Sequence, residues 1–284
     1  MNFYYINTKN ERVNFYENPY ILTDTDLLDW KYTKRDSSIT AFYREATDYT
    51  MTVAILIDDY ASYDEQAKGY NEAANKLVDI LDYDNIVNAD GKLYTDTGFY
   101  MSCRITASKK TTVQYKSGTP YQIQELTVHS EEPFWLRETK YTFDAKQEQD
   151  YQTLNYPYNY DFNIGIGTFA KTYKRETSVP TDFRLEIKGE CQTPRILING
   201  NVYEVDVHVD YNATLIISTF ESATEEKQIY IKYTDGTIIN ALNYRNKDYN
   251  IFKKIEGSEF TVETDNDIAF TLTLIEKRNE PLWK

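Results

Sequence analysis

The sequence predicts a mainly β protein of two domains, an N-terminal β-sandwich-like domain with one α-helix and a C-terminal β-sandwich. Three observations carry this. Between Asp182 and Trp283 short alternating segments are separated by Asn-Gly, Asp-Gly and Glu-Gly turns. The 27 tyrosines, with plentiful Thr, Ile and Val, suit half-buried pleated surfaces. A helical stripe is evident in one stretch, near residues 63–81.

In chain order, residues 51–57 read as a buried strand. Ser62 and Glu65 have the S-x-x-E spacing of a capping box, in which hydroxyl and carboxylate satisfy free first-turn amides. Ala67, Tyr70, Ala74, Leu77, Val78 and Leu81 follow at spacings of three and four, so a helix is expected over about 63–81, packed on a sheet. Asp90-Gly91 marks a turn, and 98–106 and 121–129 read as strands. The pattern breaks at Glu131-Glu132-Pro133-Phe134-Trp135, since proline interrupts a ladder. A polar stretch at 144–150 and a Tyr/Asn-rich one at 155–161 come next. The expected boundary is near residue 140, giving domains 1–140 and 141–284.

In the second domain, 195–198 runs into Asn199-Gly200, whose residues tolerate the positive φ angles of a tight hairpin. Beyond it Val202, Glu204, Asp206, His208 and Asp210 alternate with Tyr203, Val205, Val207, Val209 and Tyr211, as a strand with two unlike faces would. The same grammar recurs in 228–233, Asp235-Gly236 and 237–239, and again in 259–264 and 268–275.

Formal net charge is −14, which repels polyphosphate and anionic headgroups, and the basic residues form only short pairs such as Lys109-Lys110 and Lys253-Lys254. Nucleic-acid reading and membrane-surface binding are disfavoured. The start, Met1-Asn2-Phe3-Tyr4-Tyr5, lacks the pattern of a signal peptide, and no stretch nears the roughly 20 apolar residues of a membrane span. Cys103 and Cys191 lie far apart, which favours synthesis in a reducing compartment over a disulfide scaffold.

A search for chemistry finds little. Histidine occurs only at 129 and 208, neither in a Gly-rich elbow, so a nucleophilic triad or a His/Cys zinc site is not expected. Asp206-x-His208-x-Asp210 would align three ligands on one strand face, but a polar outer face opposite Val205, Val207 and Val209 is the better reading. Asn88-x-Asp90-Gly91 lacks the first ligand and the closing glutamate of a calcium loop and reads as a turn. Gly165-Ile166-Gly167-Thr168 is too short for a phosphate loop, and no pair of carboxylates stands out as a glycosidase would need. No cofactor, metal or catalytic residue is expected.

Several pieces together resemble the distal tail protein family of long-tailed phages infecting Gram-positive bacteria. They are Tyr5-Ile6-Asn7-Thr8-Lys9-Asn10-Glu11 with Pro19-Tyr20-Ile21-Leu22, and Asp90-Gly91-Lys92-Leu93-Tyr94 with Tyr100-Met101-Ser102-Cys103-Arg104-Ile105. Glu131-Glu132-Pro133-Phe134-Trp135 is similar to the end of the family's ring-forming domain. Ile187-Lys188-Gly189-Glu190 with Pro194-Arg195-Ile196 is similar to the entry into its galectin-like sandwich. Asp235-Gly236 with Asn240, and the ending Arg278-Asn279-Glu280-Pro281-Leu282-Trp283, complete the likeness, which spans nearly the whole chain.

The resemblance implies a structural virion protein of a phage or prophage tail tip, made in the host cytoplasm. It implies a hexameric ring made by the N-terminal domains, with galectin-like C-terminal domains projecting outward. Implied partners are further copies, the tail tube protein, the tail-associated lysin or tip protein, and receptor-binding proteins, with phage DNA passing through without specific binding. The galectin sugar set of His, Asn, Arg and a stacking Trp is not recognisable here. A candidate inter-subunit arm lies in the polar, aromatic stretch 32–49, with Lys34, Arg35, Phe42, Tyr43, Arg44 and Thr47 as its residues. The alternative function is a carbohydrate-binding or wall-degrading module, with 155–160 as the stretch to test.

Overall fold

The computed structural model of the chain describes residues 1–34, 42–57, 63–110, 114–116, 119–144, 169–222, 226–264 and 268–283. Expectations that rest on Ser62, Arg35, 155–160 and 165–168 lie outside the described residues. The chain is mainly antiparallel β, as the sequence predicts, and it divides into two compact units. The first holds Met1–Arg137 with Lys277–Lys284, the second Glu138–Glu276.

In the first unit the strands are β1 (Phe3–Ile6), β2 (Arg12–Asn14), β3 (Tyr16–Glu17), β4 (Tyr20–Thr25), β5 (Thr33–Lys34), β6 (Phe42–Tyr43) and β7 (Thr47–Leu56). Helix α1 (Tyr63–Val87) is followed by β8 (Gly91–Thr95), β9 (Tyr100–Lys110), β10 (Gln114–Lys116), β11 (Thr119–Ser130) and the start of β12 (Trp135–Phe143). Strands β3, β4, β7, β11 and β9 are neighbours in that order, and β8, β1 and β2 continue from β9. Phe15 joins the two ends of this curl: its N–H donates to the Phe3 carbonyl, and its own carbonyl accepts from Leu22. The enclosed core holds Tyr5, Phe15, Leu27, Met51, Ile55, Leu77, Phe99 and Trp135. Asn7 explains why the first turn needs that residue. Its buried side chain accepts from Lys9 and Glu11 N–H and donates to the Ile80 carbonyl of α1.

Two details of α1 differ from the expectation. The helix passes Leu81 and ends at Val87, where Asn88 takes φ 53° and the Ala89 N–H donates to the Asp84 carbonyl at 3.0 Å. That is a Schellman stop, with Asn in the left-handed position glycine usually fills. Val78, expected on the buried stripe, is 43% exposed, while Ala73, Leu77, Ile80, Leu81 and Asp84 are buried. A residue one step from Leu77 is turned about 100° around the helix, off that stripe.

The second unit is a sandwich. Its strands are β13 (Phe169–Lys174), β14 (Asp182–Lys188), β15 (Cys191–Gln192), β16 (Arg195–Ile198), β17 (Asn201–Glu204), β18 (His208–Val209) and β19 (Ala213–Ser218). They continue as β20 (Gln228–Tyr233), β21 (Ile238–Asn240), β22 (Glu259–Thr264) and β23 (Ala269–Arg278), with a 3-10 turn at Leu242–Tyr244. One layer runs β21-β20-β19-β14-β23-β12, the other β13-β22-β16-β17, and β15 pairs with β18. Leu185, Ile187, Leu215, Ile217, Phe270 and Leu272 from the first layer meet Ile196, Ile198, Tyr203, Phe260 and Val262 from the second in one buried cluster. Burying such side chains is worth about 2 kcal/mol each, offset by the entropy of ordering them.

The expected hairpins form. Asn199 (φ 50°) and Gly200 (φ 71°) link β16 to β17, and Gly236 (φ 91°) turns β20 into β21, with Tyr233 N–H bonded to the Thr237 carbonyl. The long alternating run 202–211 is not one strand, however. At Val205 the chain leaves β16 for an isolated bridge with Arg245, Asp206 N–H donates to the Tyr244 carbonyl, and His208–Val209 then pairs with β15. Burial still alternates, since Val205 and Val209 are buried and Asp206 and His208 exposed. Arg175 ties two loops together by donating to the carbonyls of Val179, Ile255 and Gly257.

Candidate interaction surface

The arm residues separate into two groups. β5 and β6 form a small hairpin, Thr33 opposite Tyr43 and Lys34 opposite Phe42, with Lys34 exposed and the Tyr43 hydroxyl donating to Glu45 at 3.0 Å. Arg44 and Thr47 are instead anchored on their own unit. The Arg44 guanidinium donates to the Tyr49 hydroxyl at 2.6 Å and to Asn279 Oδ1 at 3.4 Å, and its carbon lies 5.1 Å from the Phe134 ring centre. Thr47 opens β7 opposite Ser130. Burial raises the Tyr49 phenol pKa, and the neighbouring Arg44 charge partly opposes this. Lys277 also approaches Phe134, its ammonium 4.1 Å from the ring centre.

Beside the hairpin in sequence lies a contact that sequence reading missed. Trp30 Nε1 donates to Glu280 Oε1 at 2.7 Å and Trp283 Nε1 to Glu280 Oε2 at 3.3 Å, so one carboxylate holds two indoles. Tyr32 packs edge-on against Trp30 with ring centres 5.7 Å apart. Trp30 is 48% and Trp283 66% exposed, which leaves broad aromatic surface in water. Exposed Trp and Tyr held in fixed positions are the residue types that dominate protein interfaces. The partners are 250 residues apart in sequence, and only the return of 277–284 to the first unit brings them together.

The sequence candidates for chemistry resolve as structural contacts. Asp90 and Asn88 both accept from the Arg104 guanidinium, which places a cationic side chain where a calcium loop would hold its metal. His129 lies between Asp48 (2.6 Å) and Glu131 (3.3 Å), and its pKa is raised chiefly by the hydrogen bond to Asp48. Among the described residues no three His, Cys, Asp or Glu side chains converge as a metal site. Cys103 and Cys191 are free and buried, and burial raises the pKa of both thiols. A cavity of about 180 Å³ in the second unit, between Ile198, Tyr203 and 253–256, has its polar rim occupied: Tyr203 donates to the Lys253 carbonyl and Asn199 to that of Glu256. Among the described residues no helix is long and apolar enough to cross a membrane.

No family model and no curated protein matches the sequence. The structure is similar to that of the SPP1 Dit protein (gp 19.1), described as a paradigm of the hub adsorption apparatus in phages infecting Gram-positive bacteria. The TM-score is 0.53 at 9% identity, covering 97% of this chain and 98% of that one. The chain has the fold of a phage Dit protein. Chains of the phage P2 baseplate in its activated conformation give TM-scores of 0.48 with Ca (9% identity, 99% of both chains) and 0.47 with Sr (10% identity, 99% of this chain and 100% of that one). The Dit fold accounts for both units at once, because the match runs through the curled first unit and the sandwich together.

Proposed function

We propose that the protein is a structural, non-enzymatic component of a phage or prophage tail tip. In this reading it is a distal tail hub that forms a hexameric ring, joins the tail tube to the tip or tail-associated protein, and docks receptor-binding proteins. The supporting observation is the similarity to the SPP1 Dit fold over 97% of the chain. The first unit would make the ring, and the second, read as galectin-like, would project from it. The β5–β6 hairpin would reach a neighbouring copy, and the Trp30, Tyr32 and Trp283 surface would lie under that contact. A head-to-tail interface of this kind closes into a ring without needing a self-complementary face. The net charge of −14 per copy suits a channel through which DNA slides without adhering.

Light scattering on the size-exclusion peak, with negative-stain images of the same fraction, tests the reading. The expected result is a mass near six chains and annular particles, at concentration or on addition of the tail tube protein. A monomer under both conditions would remove the ring.

A further inference from the structure

The C-terminal half of α1 carries charge and apolar surface that its own unit leaves unpartnered. Residues 77–87 contain three aspartates and no basic residue. Asp84 is buried and satisfied by Tyr5 and Thr8. Asp79 and Asp82 are exposed, and among the described residues neither has an ion pair. Lys68 pairs with Glu72 earlier on the helix, and Lys9 pairs with Glu11. The last carbonyls of a helix are themselves partly negative, so two unpaired carboxylates near this end add to that potential, and a cation from outside would relieve it.

The same face is partly apolar. At 100° per residue Asn75, Val78, Asp79, Asp82 and Ile86 fall within an arc of about 100°, and all five are exposed. Val78 is 43% exposed, Ile86 75% and Val87, at the helix end, 44%. Val78, Asp82 and Ile86 follow one another at four-residue spacing, which puts a carboxylate between two branched apolar residues along one row.

The complement lies on the same chain. Residues 30–44 hold Lys31, Lys34, Arg35 and Arg44 against a single acid, Asp36, in a protein of net charge −14. Lys31 and Lys34 are exposed and, among the described residues, have no ion pair. They are interleaved with exposed Trp30 and Tyr32, and Tyr43, across the hairpin from Thr33, is 42% exposed. The basic run at the end of β9 lacks this apolar component. Thr106, Ala107, Ser108, Lys109 and Lys110 are small or polar, and Lys109 already faces Glu125 at 3.8 Å.

Both patches are exposed in one copy, so neither covers the other. A contact between them joins two copies head to tail, the arrangement that closes into a ring. Resting on the hub reading, we propose that the β5–β6 hairpin of one copy docks on the outer face of α1 of the next. Lys31 and Lys34 meet Asp79 and Asp82, and the aromatic residues cover Val78 and Ile86. The charge pairs set the register and the choice of partner, and the apolar contact adds affinity.

Charge exchange in the full chain is the test, read by light scattering and negative-stain images under the condition that assembles the parent, alone or with tail tube protein. Asp79→Lys with Asp82→Lys, and Lys31→Glu with Lys34→Glu, should each raise the midpoint concentration of assembly at least about tenfold, because like charges then face each other. Mixed in equal amounts, the two variants should assemble again. Around an alternating ring each Glu-bearing arm then meets a Lys-bearing helix, and each native arm a native helix. All four positions are exposed, and lysines suit a helix C-terminus, so both variants should melt with or above the parent. Lys109→Glu with Lys110→Glu should assemble like the parent. If that variant instead fails and the helix variant rescues it, the acid face belongs to the end of β9 and the arm contact is overturned. Undiminished assembly of the arm and helix variants, or no recovery in their mixture, overturns the contact and leaves the ring standing. A parent that stays monomeric under both conditions removes the ring and this contact together.

Discussion

At the scale of single residues, the tightest constraint in the first unit is at Asp84. Its carboxylate is fully buried and accepts from the Tyr5 hydroxyl (2.5 Å), the Thr8 N–H (2.9 Å) and the Thr8 hydroxyl (2.6 Å). Burial, followed by this hydrogen bond, drives the Tyr5 phenol pKa strongly upward. Gly91 is required beside it, since a Cβ there would lie 2.3 Å from the Tyr5 hydroxyl and 2.4 Å from Asp84 Oδ2. Asp84→Ala would strand three donors and should cost about 3 kcal/mol, and Gly91→Ala about 2 kcal/mol or more, read as lowered urea midpoints. An unchanged midpoint in either variant would show that the contact carries no stability. His129 gives a pH signature. Its folded pKa is raised above the ordinary 6.5, so the charged form is favoured in the fold. The stabilisation is therefore complete below the unfolded value and is lost as pH rises through the folded one. His129→Gln should lower Tm more at about pH 6 than at about pH 9. The site is partly exposed and the effect modest. A gap that widens with pH would reverse the assignment.

At the scale of elements, α1 shows how a correct type can come with a misplaced face and end. The stripe of threes and fours announced a helix, but Leu77 and Val78 both fit a loose spacing rule and only one can face the core. Leu77→Ala should cost roughly 3 kcal/mol in chemical denaturation, and Val78→Ala less than about 0.5 kcal/mol. Comparable losses at both positions would mean that the stripe is wrongly placed. The stop signal was present in Asn88, a residue that tolerates the left-handed conformation, but the expected helix was ended where the apolar stripe ends, at Leu81. Asp82 is exposed, whereas Asp84, in the same polar stretch, is buried through partners some eighty residues away. For the arm, Arg44 and Thr47 are anchored at the base, so the clean perturbation spares them. Lys34 faces Phe42 across the hairpin, and replacing residues 35–41 with Asn-Gly would close it with a two-residue turn. This variant should melt with the parent but fail to form rings. Persisting rings would exclude the hairpin as the contact.

At the scale of the whole molecule, one chain builds two cores of different construction. In the first, a curled sheet closes on a long helix; in the second, two layers share one apolar interior. The first unit is completed by residues from the far end of the chain: Pro281 is buried, Leu282 packs on the core, and Glu280 and Trp283 join Trp30. Truncations at the C-terminus therefore act on the N-terminal unit.

The sequence by itself determined what local physics can encode. Period-two alternation gave the mainly β class, Asn-Gly and Asp-Gly gave the hairpins of the second unit, and helical spacing gave α1, because each signal lies within a few residues of the structure it sets. Only the tertiary structure decided that the run 202–211 changes partners at Val205, that Arg104 fills the Asn88–Asp90 turn, and that Trp30 meets Glu280. It also decided that Gln192 orients His208 toward Asp210. These features depend on which segments meet after the chain has folded back on itself, and a side chain cannot announce a partner tens or hundreds of residues away.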